Sequence, residues 1–273
     1  MAPSIRHDDH LYAAVAHRRY AASLLALFGA IFLALGWAPS YREDWLLENV
    51  LVFLLVPFFV VTYRRLPLSK ISYTALFLFF CLHEVGAHYT YAEVPYDAWF
   101  QSLFGGGLNE ALGLERNHFD RLVHFLYGVL IVYPVREVFL RVANARGFWG
   151  YLFPLLVVMS TSLLFELIEW AAAMLFGGDL GMAYLGTQGD IWDSHKDSAL
   201  ATLGALLASV VIAAVHAGLD RDFTREWVES LRVKHPEPMG EIAVERMLEE
   251  RQHESDGGTA SSASSRLPNT PNR

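Results

Sequence analysis

The sequence predicts an all-α polytopic membrane bundle of six transmembrane helices. Three observations carry this. Hydrophobic residues make up 53% of the 273-residue chain and charged residues only 18%, against about 25% charged in average soluble domains. The mean hydropathy is +0.28. The apolar excess gathers in six runs, each near the ~20 residues needed to cross a hydrocarbon core about 30 Å thick. Strands of alternating polarity are absent, and lipid offers no water to open backbone groups, so the runs are read as helices. A single cysteine, Cys81, permits neither an internal disulfide nor a Cys-based zinc site. A net charge of −8 argues against a nucleic-acid partner.

The first run, Tyr20–Ala38, is too long for a signal-peptide core. It exits through Gly36-Trp37-Ala38-Pro39 rather than a small-x-small cleavage site. Trp45–Tyr63, Ser72–Tyr91 and Asp120–Leu140 follow. The fifth, Trp149–Phe176, is long enough to tilt. The sixth is Asp197–His216. Lys and Arg gather on one side: Arg6, Arg18 and Arg19, then Arg64, Arg65 and Lys70, then Arg136, Arg141 and Arg146, then Arg221, Arg225 and Arg232. The other side holds only Arg42, Arg116, Arg121 and Lys196. The positive-inside rule then puts both termini in the cytoplasm and loops 92–119 and 177–196 outside a bacterial inner membrane. Residues 1–19 form a cytoplasmic segment and 20–216 the transmembrane domain. Residues 217–252 read as charged cytoplasmic helices interrupted at Pro236 and Pro238. Residues 253–273, rich in Gly, Ser and Pro, read as disordered.

Ionisable residues inside spans cost at least about 2.5–3.5 kcal/mol each, so they need partners or a wet cavity. Here they cluster. The third run carries His83, Glu84 and His88. The fourth opens with Asn117, His118, Asp120, Arg121 and His124. The fifth carries Glu166 and Glu169, and the sixth is preceded by Asp190, Asp193 and Lys196 and starts at Asp197. Glu84/His88, Asp120/His124 and Asp193/Asp197 are i,i+4, and Glu166/Glu169 are i,i+3, so each pair shares a helix face. All four clusters fall in the outer half of the membrane. Carboxylates and imidazoles are ligands of hard and borderline divalent cations. The candidate ligands are His83, His88, Asp120, Glu166, Asp190, Asp193 and Asp197. Glu84, His124 and Glu169 are the candidate acid–base groups. Arg116, Arg121 and Lys196 are the candidates to meet a phosphate. The cofactor expected is a divalent metal ion, and the expected chemistry is hydrolysis of an envelope lipid or phosphoester.

Two other classes stay open. Intramembrane acids and histidines also build ion- or proton-coupled transporters, although here the inner halves of the runs are nearly uncharged. Interhelical hydrogen bonds alone hold bundles together at about 0.6 kcal/mol each. That structural reading suits Asp120, Asp190 and Asp193 as helix caps. It suits Glu166 and Glu169 poorly, because two carboxylates one turn apart in an apolar span repel unless protonated, paired or metal-bound. Gly105-Gly106-Gly107 lacks the Lys-Ser/Thr that follows a phosphate-binding loop and reads as a turn.

The motifs His83-Glu84-x-x-x-His88-Tyr89-x-Tyr91, Arg116-Asn117-His118-Phe119-Asp120-Arg121-x-x-His124-Phe125, Glu166-x-x-Glu169-Trp170 and Gly186-Thr187-Gln188-Gly189-Asp190-x-x-Asp193-x-x-x-Asp197 resemble the YjdF family of bacterial inner-membrane proteins. The resemblance covers most of residues 20–216 and implies a polytopic inner-membrane protein of unestablished activity. Asp120-Arg121-x-x-His124-Phe125 is also similar to the Asp-Lys-x-x-His-Phe motif of VanZ-like membrane proteins, linked to glycopeptide resistance. Here Arg121 stands for the usual Lys and Tyr127 comes one place early. That similarity implies a role in the envelope.

The charge bias makes a direct prediction. A reporter active only outside the cytoplasm is active when fused after Gly107 or Gly181 and silent after Arg65 or Arg146. The reverse pattern overturns the orientation.

Overall fold

The computed structural model describes residues 7–176, 178, 185–219, 222–234, 240, 242 and 244–252. The break at Pro236–Pro238 and the tail from His253 lie outside the described residues. Two units separate, Met1–Ser230 and Leu231–Arg273. In the second, residues 244–252 are helical and carry their charged side chains in solvent.

Every regular element described in the first unit is helical. Helix α1, His7–Trp37, contains the apolar stretch Ala14–Trp37 and ends just ahead of Pro39, which cannot continue it. The second run is not one straight helix. It divides into α2, Arg42–Glu48, and α3, Val50–Thr62, bent by 40°. Asn49 makes the bend: its ψ is near 0° and its side-chain amide donates to the Trp45 carbonyl at 2.9 Å. The bend turns Asp44 and Glu48 into the protein, where both are buried.

Helix α4, Lys70–Tyr89, is capped by the Ser69 hydroxyl, which accepts from the Ser72 N–H at 3.2 Å. It packs closely against α1 and against α7. Its 20 residues reach about 30 Å, but, with Lys70, His83, Glu84 and His88 in it, it is not among the helices long and apolar enough to cross a membrane. A 3₁₀ turn, Tyr91–Glu93, and two short helices, α5 Tyr96–Phe104 and α6 Leu108–Leu112, complete the first long loop. Gly105 takes φ +79° at the end of α5, and the Asn109 N–H donates to Asp97 at 2.7 Å. The glycine triplet is therefore a turn beside an acidic side chain.

Helices α7, Phe119–Val142, α8, Trp149–Phe176, and α9, Asp193–Leu219, form the second half. Helix α9 starts one turn ahead of the apolar run, so Asp193 and Asp197 do share one helix face. The apolar parts of α1, α7, α8 and α9 are each long and apolar enough to cross a membrane, and the bent pair α2–α3 passes together as a fifth. Apolar side chains such as Leu33, Val61, Leu163 and Val211 point outward, as lipid-facing residues do. The amphipathic helix α10, Phe223–Ser230, docks on the α7–α8 turn. There the Ser230 hydroxyl accepts from the Phe148 N–H at 3.0 Å and the Ser230 carbonyl from the Trp149 indole at 2.8 Å.

The closest approach in the bundle is between α7 and α9. A Cβ on Gly128 would lie 2.0 Å from the Ala201 carbonyl oxygen, and one on Gly204 would lie 2.1 Å from the Phe125 carbonyl oxygen. Ala201 and Ala205 are fully buried beside them. Small residues allow such backbone contact where lipid supplies no hydrophobic drive between helices. Gly128→Ala and Gly204→Ala should each cost about 1–3 kcal/mol, because backbone rather than a side chain must yield. Gly218→Ala, with open space around it, should not destabilise. Denaturation of the three variants in one detergent checks this. Equal stability would remove the contact from the account.

Candidate functional site

The loop before α9 is shaped by left-handed residues at Gly186, Gln188 and Gly189. The Asp190 N–H donates to the Thr187 carbonyl at 2.9 Å, and Asp190 in turn accepts from the Trp192 N–H at 3.1 Å. Opposite it stands the segment entering α7. The Asn117 side chain accepts from the Phe119 N–H at 2.9 Å and donates to the Val94 carbonyl at 2.8 Å. The Gln188 amide bonds both ways with the Asn117 backbone, at 3.0 and 3.1 Å. These backbone ties fix the two loops in one register.

Across that register runs a charge clamp. Arg116 grips Asp193 through two parallel bonds of 2.9 and 3.0 Å and also donates to the Thr187 carbonyl. Fork-on-fork pairing of this kind is strong and directional. Arg121 donates to Asp190 at 2.5 Å and to Asp193 at 2.9 Å, and Lys196 donates to Asp190 at 2.5 Å. Lys196, the Trp192 N–H and Arg121 hold the Asp190 carboxyl well below the usual carboxylate range. Burial, then Arg121 and Arg116, hold the His118 imidazole below its ordinary value. All three cations expected to meet a phosphate are thus engaged by Asp190 and Asp193. Lys196, with 49% of its side chain exposed, is the one most open to the outside.

Behind the clamp the positive charge runs out. Asp120, Asp193 and Asp197 each offer a carboxylate oxygen, and the three oxygens lie within 4.8 Å of one another. His124 Nε2 sits 3.6 Å from Asp120 and 3.3 Å from Glu166. Glu169 is buried within electrostatic reach of Asp120, Glu166, Glu48 and Asp197. Asp197 Oδ1 is buried without a hydrogen-bond partner. Asp120, Asp197, Glu166 and Glu169 therefore share one imidazole between them. Their charge needs protons or a cation to balance it.

A second arm opens from this cluster, and the sequence reading missed it. Glu48, on α2, lies within electrostatic reach of Asp120, Glu84 and Asp44. Asp44, Glu48 and Glu84 are at most 3% exposed; the Thr90 side chain faces Asp44 and the Trp45 side chain faces Glu84. The signal was present: Glu48 is an acid inside an apolar run, one turn from Asp44. His83 belongs to this arm. Its Nδ1 meets the Tyr91 hydroxyl at 2.5 Å, and the ring also bonds the Glu48 backbone. His88 lies elsewhere. Its ring bonds the Leu35 carbonyl at 2.7 Å and ties α4 to α1. The structure thus gathers Asp120, His124, Glu166, Glu169, Asp193 and Asp197, joins Glu84 and His83 to them through Glu48, places Asp190 in the clamp, and leaves His88 out.

An apolar cavity of about 360 Å³ lies among α3, α4, α7 and α8, with His83, Tyr91 and His124 in its lining. Val123 and Val135 of α7 both line it, so it follows that helix for about 18 Å. That is close to the depth of one leaflet, half of the ~30 Å core.

The family model described as "Predicted membrane protein (DUF2238)" matches residues 20–218. Inner membrane protein YjdF of Escherichia coli (strain K12) is 38% identical over 194 residues, which cover 71% of this chain and 88% of that protein. No solved structure matches.

The clamp sets a stability prediction. Arg116→Ala removes the two-bond grip on the nearly buried Asp193, leaves it to Arg121 alone, and should cost about 1.5–3 kcal/mol, whereas Lys196→Ala at the exposed rim should cost about 1 kcal/mol or less. The Asp190 carboxyl is depressed in the folded state. Its contribution is therefore complete above the unfolded value of about 3.9 and is lost as pH falls toward the lower folded value. Asp190→Asn should flatten the acid limb of the stability profile in that range. Thermal unfolding from pH 6 to pH 3 reads both effects. Equal losses for Arg116→Ala and Lys196→Ala would contradict the clamp.

Proposed function

The chain belongs to the DUF2238 family of membrane proteins, and from that footing we propose a six-span inner-membrane protein whose outward-facing carboxylate site holds a divalent cation and acts on an envelope lipid. In this reading α4 is the third span and both termini are cytoplasmic. The Lys/Arg bias supports that orientation. So does the gathering of the ionisable residues of α4, α7, α8 and α9 at one end of the bundle.

One observation carries the cation: three buried carboxylates and the half-buried Asp120 share a single imidazole after every nearby Arg and Lys has been engaged. Three carboxylate oxygens within 4.8 Å, together with the unpartnered oxygen of Asp197, fit a hard divalent ion better than a thiophilic one. Asp120 and Asp197 would hold it from α7 and α9, with Glu166 closing from α8. Such an ion supplies a more acidic bound water and polarises an ester oxygen. This chain's own part is to keep Asp193 fixed by Arg116 and to stand His124 between Asp120 and Glu166, where its imidazole is placed to take or return a proton. The cavity beside His124 supports a lipid rather than a soluble phosphoester, because its depth and apolar walls suit an acyl chain.

Proton-coupled transport is the second reading, and the buried arm through Glu48 and Glu84 favours it. Against it, Val132, Val158 and Ala205 are almost wholly buried further along the bundle. They form an apolar layer between the site and the inner polar group of Arg136, Tyr151 and His216. Such a layer supports a blind site over a through-path.

The test is thermal unfolding of chelator-treated protein in detergent with Mg²⁺ or Mn²⁺ restored. An ion at a hundredfold its Kd should stabilise by about 2.7 kcal/mol, and less on acidification as protons compete for the ligands. His124→Ala and Glu166→Ala should abolish the gain, and Ser160→Ala should keep it. Absence of any ion-dependent gain in the wild type would favour proton balance and the transport reading. A gain that survives both variants would place the ion elsewhere.

A further inference from the structure

At the opposite end of the bundle a different site takes shape. An apolar groove of about 270 Å³ lies between α1, α3 and α4. A wider cavity of about 620 Å³ opens beside it, with His17, Ser69 and Glu137 among its lining. Arg18, Tyr63 and Arg64 line both, so the two adjoin. The groove follows α1 from Arg18 to Phe28, about 15 Å, which is the depth of one leaflet's hydrocarbon layer. Its floor is the core cluster of Phe28, Val52, Leu76 and Phe80.

The mouth is polar, and its charge is uncompensated. Among the described residues neither Arg18 nor Arg64 makes an ion pair or a hydrogen bond, and both are exposed. The neighbouring charges are already engaged. Lys70 stands over the Tyr20 ring at 5.5 Å. Glu137, the acid lining the mouth, accepts from the Ser69 N–H and the Ser72 hydroxyl and pairs with Arg141, so it does not answer the two arginines. His17 is fixed between the Tyr63 hydroxyl, at 3.1 Å, and the Leu68 carbonyl, at 2.9 Å. Tyr63 and Tyr73 lie ring to ring beside it, an aromatic pair of the kind that marks headgroup level.

Two open guanidinium groups above a leaflet-deep apolar groove match one chemistry, an anion carried on an acyl chain. Basic pockets between spans at a cytoplasmic face bind such headgroups. We propose that this groove binds one anionic phospholipid, its phosphate between Arg18 and Arg64 and one acyl chain along α1. It lies in the inner leaflet if the orientation proposed above holds. The binding itself does not depend on that orientation or on the carboxylate site.

The experiment is native mass spectrometry of the delipidated full chain in detergent. It is titrated with dioleoyl phosphatidylglycerol, with dioleoyl phosphatidylcholine, and with inorganic phosphate. One phosphatidylglycerol should bind per chain, well ahead of phosphatidylcholine with the same tails, and phosphate should not displace it. With about 1 kcal/mol per basic residue at such a surface, Arg18→Gln with Arg64→Gln should weaken phosphatidylglycerol roughly thirtyfold. Ala22→Phe fills the groove from an exposed position, keeps both cations, and should weaken it as well. Equal retention of the two lipids would mean ordinary annular lipid and overturn the proposal. So would full competition by phosphate, which would mean an anion site without a tail. Undiminished binding in both variants would overturn it too.

Discussion

The site depends on a backbone-to-backbone contact. Gly128 of α7 meets Ala201 of α9, and Gly204 of α9 meets Phe125 of α7. That contact sets the relative height of the two helices. Asp120 lies eight residues before Gly128, and Asp197 lies seven before Gly204, so both carboxylates stand about 10–12 Å along their axes from the same crossing. They are level because the glycines are. A side chain at either glycine would push the helices apart and open the oxygen cluster before any site residue changed.

Electrostatics then divides the acids into two sets. The outer set, Asp190 and Asp193, is neutralised by the chain itself. Arg116 suits its place because a planar guanidinium matches a carboxylate bond for bond, where an ammonium offers only a point charge. The inner set, Asp120, Asp197, Glu166 and Glu169, is left with His124. A chain that merely needed to bury these helices would be served better by apolar side chains of similar size. Three buried acids and a half-buried fourth around one imidazole make sense as a place where charge arrives, as an ion or as protons. The apolar layer at Val132 and Val158 bears on which, since it closes the route inward.

Much of this was legible in the sequence because periodicity and depth are both readable. Glu166 and Glu169 share a face at any helix geometry, and the gathering of the polar clusters at one end of the bundle follows from counting along the spans. The boundaries of α8 needed no correction. What was not legible depended on backbone geometry and on long-range contact. Nothing local distinguishes an Asn49 that bends a helix from one that rides along it, so α2 and α3 read as one span and Asp44 and Glu48 were passed over. Glu84 and His88 are a turn apart, yet α1 packs close enough to claim His88 through a single carbonyl. The three basic residues looked available for a phosphate because the sequence does not show that Asp190 and Asp193 lie across from them.

The central claim is that the inner carboxylates are balanced by a bound ion. An anomalous-difference map from the protein prepared with Mn²⁺ tests it most directly. The account predicts one peak within coordinating distance of Asp120 and Asp197, with Glu166 turned toward it and Asp193 still held by Arg116. Carboxylates paired with each other through shared protons, with no peak among them, would contradict it.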